Sequence, residues 1–240
     1  VDYKKIDALF QASIDQGASD IYLTYNCPPC LRINDNIQPL GDMLLSQSDI
    51  DAMLEEMVGE DKVDEFRSTL ELNTAIHWGN EARFRINAFK QQQTTAIVVR
   101  RIQTKIPSIE SLNLPPTYAQ LVMEKRGLIL VVGPTGSGKS TSLAAMIGYR
   151  NTYGSGHIIT IEDPIEFVHQ HQGCIISQRD VGIDTYSYGL ALKNALRQSP
   201  DVVLIGEVRD RETMEHAINF SETGHLVLAT LHAKNASQAI

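Results

Sequence analysis

Leu128-Ile129-Leu130-Val131-Val132-Gly133-Pro134-Thr135-Gly136-Ser137-Gly138-Lys139-Ser140 is the stretch on which the reading of this chain turns. An unbroken apolar run enters a glycine-rich turn of the form G-x-x-x-x-G-K-S, and Thr141 leads on into a stretch that predicts a helix. Strand, glycine turn and helix in that order are the context a phosphate-binding loop requires. Glycines let successive backbone N–H groups converge on phosphate oxygens, and the helix that follows turns the positive end of its dipole toward them. Gly133 to Thr141 are therefore candidate ATP contacts. Lys139 is expected to reach the β- and γ-phosphates as a point charge, and Ser140 to give its hydroxyl to Mg²⁺. The loop alone leaves the class of chemistry open, because kinases, GTPases, recombinases and mechanical motors share it.

Working outward, similar apolar runs recur at Ile158-Ile159-Thr160-Ile161, Val202-Val203-Leu204-Ile205 and Leu226-Val227-Leu228-Ala229. Such runs, separated by helical stretches, predict a mostly parallel sheet covered on both faces, an α/β fold. Upstream the texture differs. Ile6, Leu9, Phe10 and Ile14 share one helical face that ends at Gly17. Ile21, Leu23 and Tyr25, then Leu31 and Ile33 before Asn34-Asp35-Asn36, predict two strands and a turn. Ser48, with Asp51 three residues on, is expected to open a helix that carries Ile50, Met53, Leu54 and Met57 inward. Leu72 to Ile102 predicts three strands. The expected organisation is a small α+β domain over 1–104, a proline-bearing connector over 105–116 with Pro107, Pro115 and Pro116, and an α/β domain over 117–240.

With 240 residues and 42% hydrophobic content, the chain can bury two cores. The net charge of -8 argues against a nucleic-acid surface, since phosphate backbones are held by basic patches. Cys27, Cys30 and Cys174 are too few and too scattered for a disulfide framework, which points to a reducing compartment. Cys27-Pro28-Pro29-Cys30 lacks the second ligand pair of a closed zinc site and is expected to be structural. No stretch reaches the ~20 apolar residues of a membrane span. Val1-Asp2-Tyr3-Lys4 does not look like a signal peptide.

Carboxylates stand at the expected ends of the apolar runs. Glu207 closes Asp201-Val202-Val203-Leu204-Ile205-Gly206-Glu207, where it can reach a Mg²⁺ shell from the carboxyl edge of a parallel sheet. Glu162 and Glu166, in Glu162-Asp163-Pro164-Ile165-Glu166, are candidate general bases, and the residues alone do not choose between them. His225 and His232 bracket one strand. Arg83, Arg85, Arg100 and Arg101 precede the connector and Arg197 and Arg209 follow it; an arginine brought to the γ-phosphate would stabilise transition-state charge.

Taken together these motifs resemble the GspE/PulE secretion ATPase superfamily, and within it the type IV pilus retraction ATPases of the PilT and PilU type. Gly133–Ser140 looks like the family's Walker A, Ile161-Glu162-Asp163-Pro164-Ile165-Glu166-Phe167 like its Asp box, and Gly206-Glu207-Val208-Arg209-Asp210 like its Walker B. Thr223-Gly224-His225 and Thr230-Leu231-His232 look like its His box. Around His157, Gly173-Cys174-Ile175 and Ala191 to Arg197 the wording is closer to PilU. The resemblance implies a PAS-like N-terminal domain joined to a RecA-like P-loop ATPase domain, here incomplete at its C-terminus because family members continue into a helical region. It also implies Glu166 as the catalytic base, His232 as a γ-phosphate sensor, His225 as its His-box companion, and Arg85 and Arg100 as nucleotide contacts.

By the same resemblance the protein is a Mg²⁺-dependent ATPase in a cytoplasmic homo-hexamer, peripheral at the inner membrane. Its partners would be a pilus platform protein and a PilT-type retraction ATPase. The competing readings are an accessory ATP-binding subunit, a type II secretion or pilus extension ATPase, a small-molecule kinase and a nucleic-acid translocase.

Overall fold

The computed structural model describes residues 2–79, 82–102 and 104–232. Its contacts divide the chain into two units, Val1–Ile102 and Gln103–Ile240.

The first unit contains α1 (Ile6–Asp15), β1 (Asp20–Leu23), β2 (Cys30–Ile33), β3 (Asn36–Pro39), α2 (Gln47–Val58), α3 (Glu60–Thr69), β4 (Glu71–Trp78), β5 (Ala82–Gln91) and β6 (Thr94–Ile102). The strands form one antiparallel sheet in the order β3-β2-β1-β6-β5-β4. Period-two alternation along β5 buries Phe84, Ile86 and Ala88, and these pack with Leu9 and Phe10 of α1, Ile50, Met53 and Leu54 of α2 and Phe66 of α3 in one core. Phe10 stacks on Phe84 with ring centroids 4.2 Å apart.

The expected helix start moves. The N-cap of α2 is Ser46, whose Oγ accepts from Asp49 N at 3.2 Å while Asp49 Oδ2 accepts from Ser46 N at 2.8 Å, a reciprocal capping box. Ser48 and Asp51 lie inside the helix, and Asp51 Oδ1 instead accepts from Thr95 Oγ1 at 2.7 Å. α3 and β3 lie outside the expected elements because neither carries a strong apolar pattern: β3 is an exposed edge strand and α3 buries only Val63 and Phe66. The Cys27 and Cys30 thiols are free of a disulfide and share a hydrogen bond at 3.9 Å, and burial pushes the Cys30 thiol up to about 11. Among the described residues no group of three or more His, Cys, Asp and Glu is placed to hold a metal ion.

The second unit contains α4 (Thr117–Val122), β7 (Gly127–Val132), α5 (Lys139–Tyr153), β8 (Gly156–Glu162), β9 (Cys174–Asp180), α6 (Tyr188–Ala195), a 3₁₀ turn at Leu196–Gln198, β10 (Val202–Val208), α7 (Arg211–Glu222) and β11 (Leu226–Leu231). Every strand pairs in parallel, in the order β7-β11-β10-β8-β9. Alternate residues explain the continuous apolar runs. Ile159, Ile161, Val203, Ile205, Val227 and Ala229 face Leu192, Ala195, Ala217 and Phe220 on one side. Ile158, Val202, Leu204, Leu226 and Leu228 face Val122, Leu143, Met146 and Ile147 on the other. β9 is the unanticipated fifth strand, an edge strand that buries only Cys174, Ile176 and Asp180. Because the strands are parallel, the carboxyl ends of β7, β8, β10 and β11 open on one edge of the sheet.

Candidate nucleotide site at the carboxyl edge of the parallel sheet

At that edge lies a cleft of about 320 Å³, lined by the phosphate-loop residues Thr135, Gly136, Gly138, Lys139, Ser140 and Thr141, by Glu162 and Glu166, and by Glu207 and His232. The loop that follows β7 depends on its glycines: Gly136 and Gly138 hold φ of 77° and 85°, left-handed values that other residues adopt at a cost. A Cβ at Gly133 would stand 2.7 Å from Ser137 Oγ, so that position admits no side chain while Ser137 keeps its bond to Pro134 O at 2.8 Å. Lys139 is buried, and its Nζ donates to Gly133 O at 3.0 Å and Pro134 O at 2.9 Å, folding the ammonium back over the loop. Like α1, α3 and α4, α5 carries no side-chain cap at its N-terminus, and it is the one that follows the phosphate loop. Its first N–H groups and its dipole are thus available to an anion.

The carboxylates form two connected sets. Thr160 Oγ1 donates to Glu162 Oε1 at 2.6 Å, and Gln178 Nε2 donates to the same oxygen at 3.3 Å while also holding Phe167 O at 2.8 Å. Burial pushes the Glu162 carboxyl up to about 7, against the lowering effect of the hydrogen bonds from Thr160 and Gln178. The cis Asp163–Pro164 bond follows, and Glu166 lies exposed at the cleft wall. Glu207, at the end of β10, accepts from Arg209 Nε through Oε2, and its Oε1 lies 2.6 Å from His232 Nε2. Arg209 reaches on to Asp163 Oδ2 at 3.2 Å, so one guanidinium joins the chain after β8 to the end of β10. Ser140 and Glu207 line the same cleft, which suits an oxygen-ligated Mg²⁺ that takes few protein ligands and several from phosphate and water.

His225 does not join this constellation. It precedes β11 at the opposite end from His232; its Nδ1 lies 3.1 Å from Phe220 O and 3.2 Å from Thr223 Oγ1, and its ring meets Phe220 edge-on. The extended six-residue strand forces that separation, because the residues bracketing it emerge at its opposite ends. Arg85 and Arg100 are cross-strand partners on β5 and β6; Arg85 Nε donates to Asn73 Oδ1 at 2.9 Å and Arg100 Nε to Asp20 Oδ1 at 2.8 Å.

Residues 3–240 match the family described as type II/IV secretion system protein. The chain belongs to that family. Among its relatives, the type IV pilus ATPase PilU of Pseudomonas aeruginosa is 50% identical over 236 residues, which are 98% of this chain and 62% of that protein. The type IV pilus retraction ATPase PilT of the same organism is 40% identical over 98% of this chain and 68% of its own length. A crystal structure of the pilus retraction motor PilT with bound ADP superposes with a TM-score of 0.89 at 43% identity, covering 95% of this chain and 67% of that one. The chain thus spans about 62% of the length of the PilU relative. Of the residues the motifs single out, Thr135, Gly136, Gly138 to Thr141, Glu162, Glu166, Glu207 and His232 line the cleft. Thr160, Gln178 and Tyr188 do not announce themselves, although Thr160 and Glu162 stand two apart on β8, the spacing that puts side chains on one face.

Proposed function

We propose that this secretion-family protein hydrolyses ATP with Mg²⁺ and so drives or assists type IV pilus retraction and twitching motility. The observation that carries the reading is the meeting, in one cleft, of an uncapped α5 N-terminus behind the phosphate loop with Glu166, Glu207 and His232. In this reading the loop N–H groups, Lys139 and Thr141 hold the phosphates, and Ser140 and Glu207 take the metal, whose charge would offset that of the β- and γ-oxygens. Glu166 orients and deprotonates the attacking water, with Glu162 the other candidate base, His232 senses the γ-phosphate, and Arg85 and Arg100 are proposed nucleotide-contacting cations. His225 serves the turn that leads into β11 rather than the chemistry. The corresponding domain reading is PAS-like over 1–104, a linker over 105–116 and RecA-like over 117–240. Assembly as a cytoplasmic homo-hexamer against an inner-membrane platform protein belongs to the same proposal; among the described residues no helix is long and apolar enough to cross a membrane.

The test is steady-state ATPase on the full-length protein. Lys139→Ala should abolish turnover and weaken nucleotide binding. Glu166→Gln should lower kcat by roughly 10²-fold or more while nucleotide still binds, as expected for loss of a general base. Undiminished turnover in Glu166→Gln would remove that residue from the role. A second reading, an accessory subunit acting beside a PilT-type motor, is favoured by the 50% identity to PilU against 40% to PilT. Motor-like turnover by the isolated assembly, with retraction restored in cells lacking both proteins, would exclude it.

A further inference from the structure

Tyr188 is the first residue of α6, which Ser187 caps through Leu190 N at 3.2 Å. Its ring packs against the core formed by Ile161, Ile205 and Ala191, so the side chain is held from behind. Tyr188 lines the cleft, and its hydroxyl is buried and has no hydrogen-bond partner among the described residues. A Cβ at Gly206 would stand 3.1 Å from that oxygen, so the residue preceding Glu207 leaves the space the phenol fills. Buried hydroxyls are ordinarily bonded, and one left without a partner at a cleft wall is prepared for a group that arrives with the ligand. The nearby charges are Asp163, Arg209, Glu162 and Glu207, and burial first, then Asp163, hold the phenol above its usual range, so it stays protonated and can donate.

We propose that the Tyr188 hydroxyl is a further catalytic group, donating a hydrogen bond to the terminal phosphoryl group of the bound nucleoside triphosphate. The inference rests on the ATPase reading above. Tyr188 lines the same cleft as Glu162 and Glu207, and a fixed donor contributes most where charge develops on the oxygens of a transferring phosphoryl group. A purely structural tyrosine would have its hydroxyl bonded to the protein, and this one does not.

The experiment compares wild type and Tyr188→Phe as full-length protein by thermal melting with no ligand, with Mg-ADP, and with Mg-ADP plus orthovanadate as the mimic of the transferring phosphoryl group. The expected result is an unliganded melting temperature equal to or above wild type and an unchanged ADP shift. The vanadate concentration for the half-maximal further shift should rise about ten- to a hundredfold, as for a lost hydrogen bond to a charged group. kcat should fall correspondingly with KM unchanged. A variant that responds to vanadate as wild type does, or that melts lower and loses its ADP shift as well, overturns the proposal. Wild type with no vanadate response overturns the ATPase reading itself, and this one with it.

Discussion

Glu162 sits with its carboxylate under Thr160 and Gln178, and burial raises it from an ordinary 4.5 to about 7. In the unfolded chain the group releases its proton near the lower value, so between the two the folded protein binds more protons. Stability contributed by the protonated form is full at the acid end, falls as pH rises from 4.5 to 7, and is level above. A neutral glutamine keeps an acceptor for Thr160 and has no charge to bury. Glu162→Gln should therefore gain on wild type as pH goes from 5 to 8, by about one to three kcal/mol. Urea titrations followed by circular dichroism, without nucleotide or Mg²⁺, read this directly. A difference between the two proteins that is constant with pH would show that Glu162 already ionises normally. At the same scale, Glu207 is engaged by both Arg209 and His232, so its direction is fixed by its neighbours as well as by the end of β10.

Elements differ in how openly the residues declare them. β8, β10 and β11 are unbroken apolar runs because both faces are covered, and a central parallel strand leaves little room for other residues. β9 reads Cys174-Ile175-Ile176-Ser177-Gln178-Arg179-Asp180 and buries only Cys174, Ile176 and Asp180, so the apolar pattern weakens after Ile176. The phosphate loop is legible because its backbone demands glycine at fixed places, whereas Tyr188 is not, since its relation to Gly206 and Glu162 arises only when α6 returns to the sheet. The α2 cap shows the same limit at short range: Ser46 and Ser48 both precede acids by three residues, and only the first has extended backbone, φ -82° and ψ 165°. Its hydroxyl takes the Asp49 N–H, so Ser46→Ala should cost about 1 kcal/mol. Alanine at Ser48 should be close to neutral, because its Oγ bonds only Ser46 Oγ. Equal losses from the two, measured by denaturant titration, would count against the capping assignment.

Across the whole molecule, the buried clusters respect the division at Ile102: one runs from Ile6 to Val99, and the other two from Val122 to Leu228 and from Ile159 to Ala229. Units with separate cores unfold as separate cooperative transitions unless something couples them. The sequence contains a single tryptophan, Trp78, whose Nε1 donates to Asp7 Oδ1 at 2.8 Å and whose ring meets Phe10 edge-on, so its fluorescence reports on the first unit alone. Nucleotide bound at the loop after β7 adds to the stability of the second unit by mass action, about 2.7 kcal/mol at a hundred times Kd. Saturating Mg-ADP should accordingly move the circular-dichroism transition to higher denaturant while the Trp78 midpoint stays in place, and Lys139→Ala should remove the first effect. If both probes move together by the same amount, the two units unfold as one, and nucleotide binding at the second is energetically felt at the first. The two-probe titration thus reads whether the two units are energetically coupled within the folded chain.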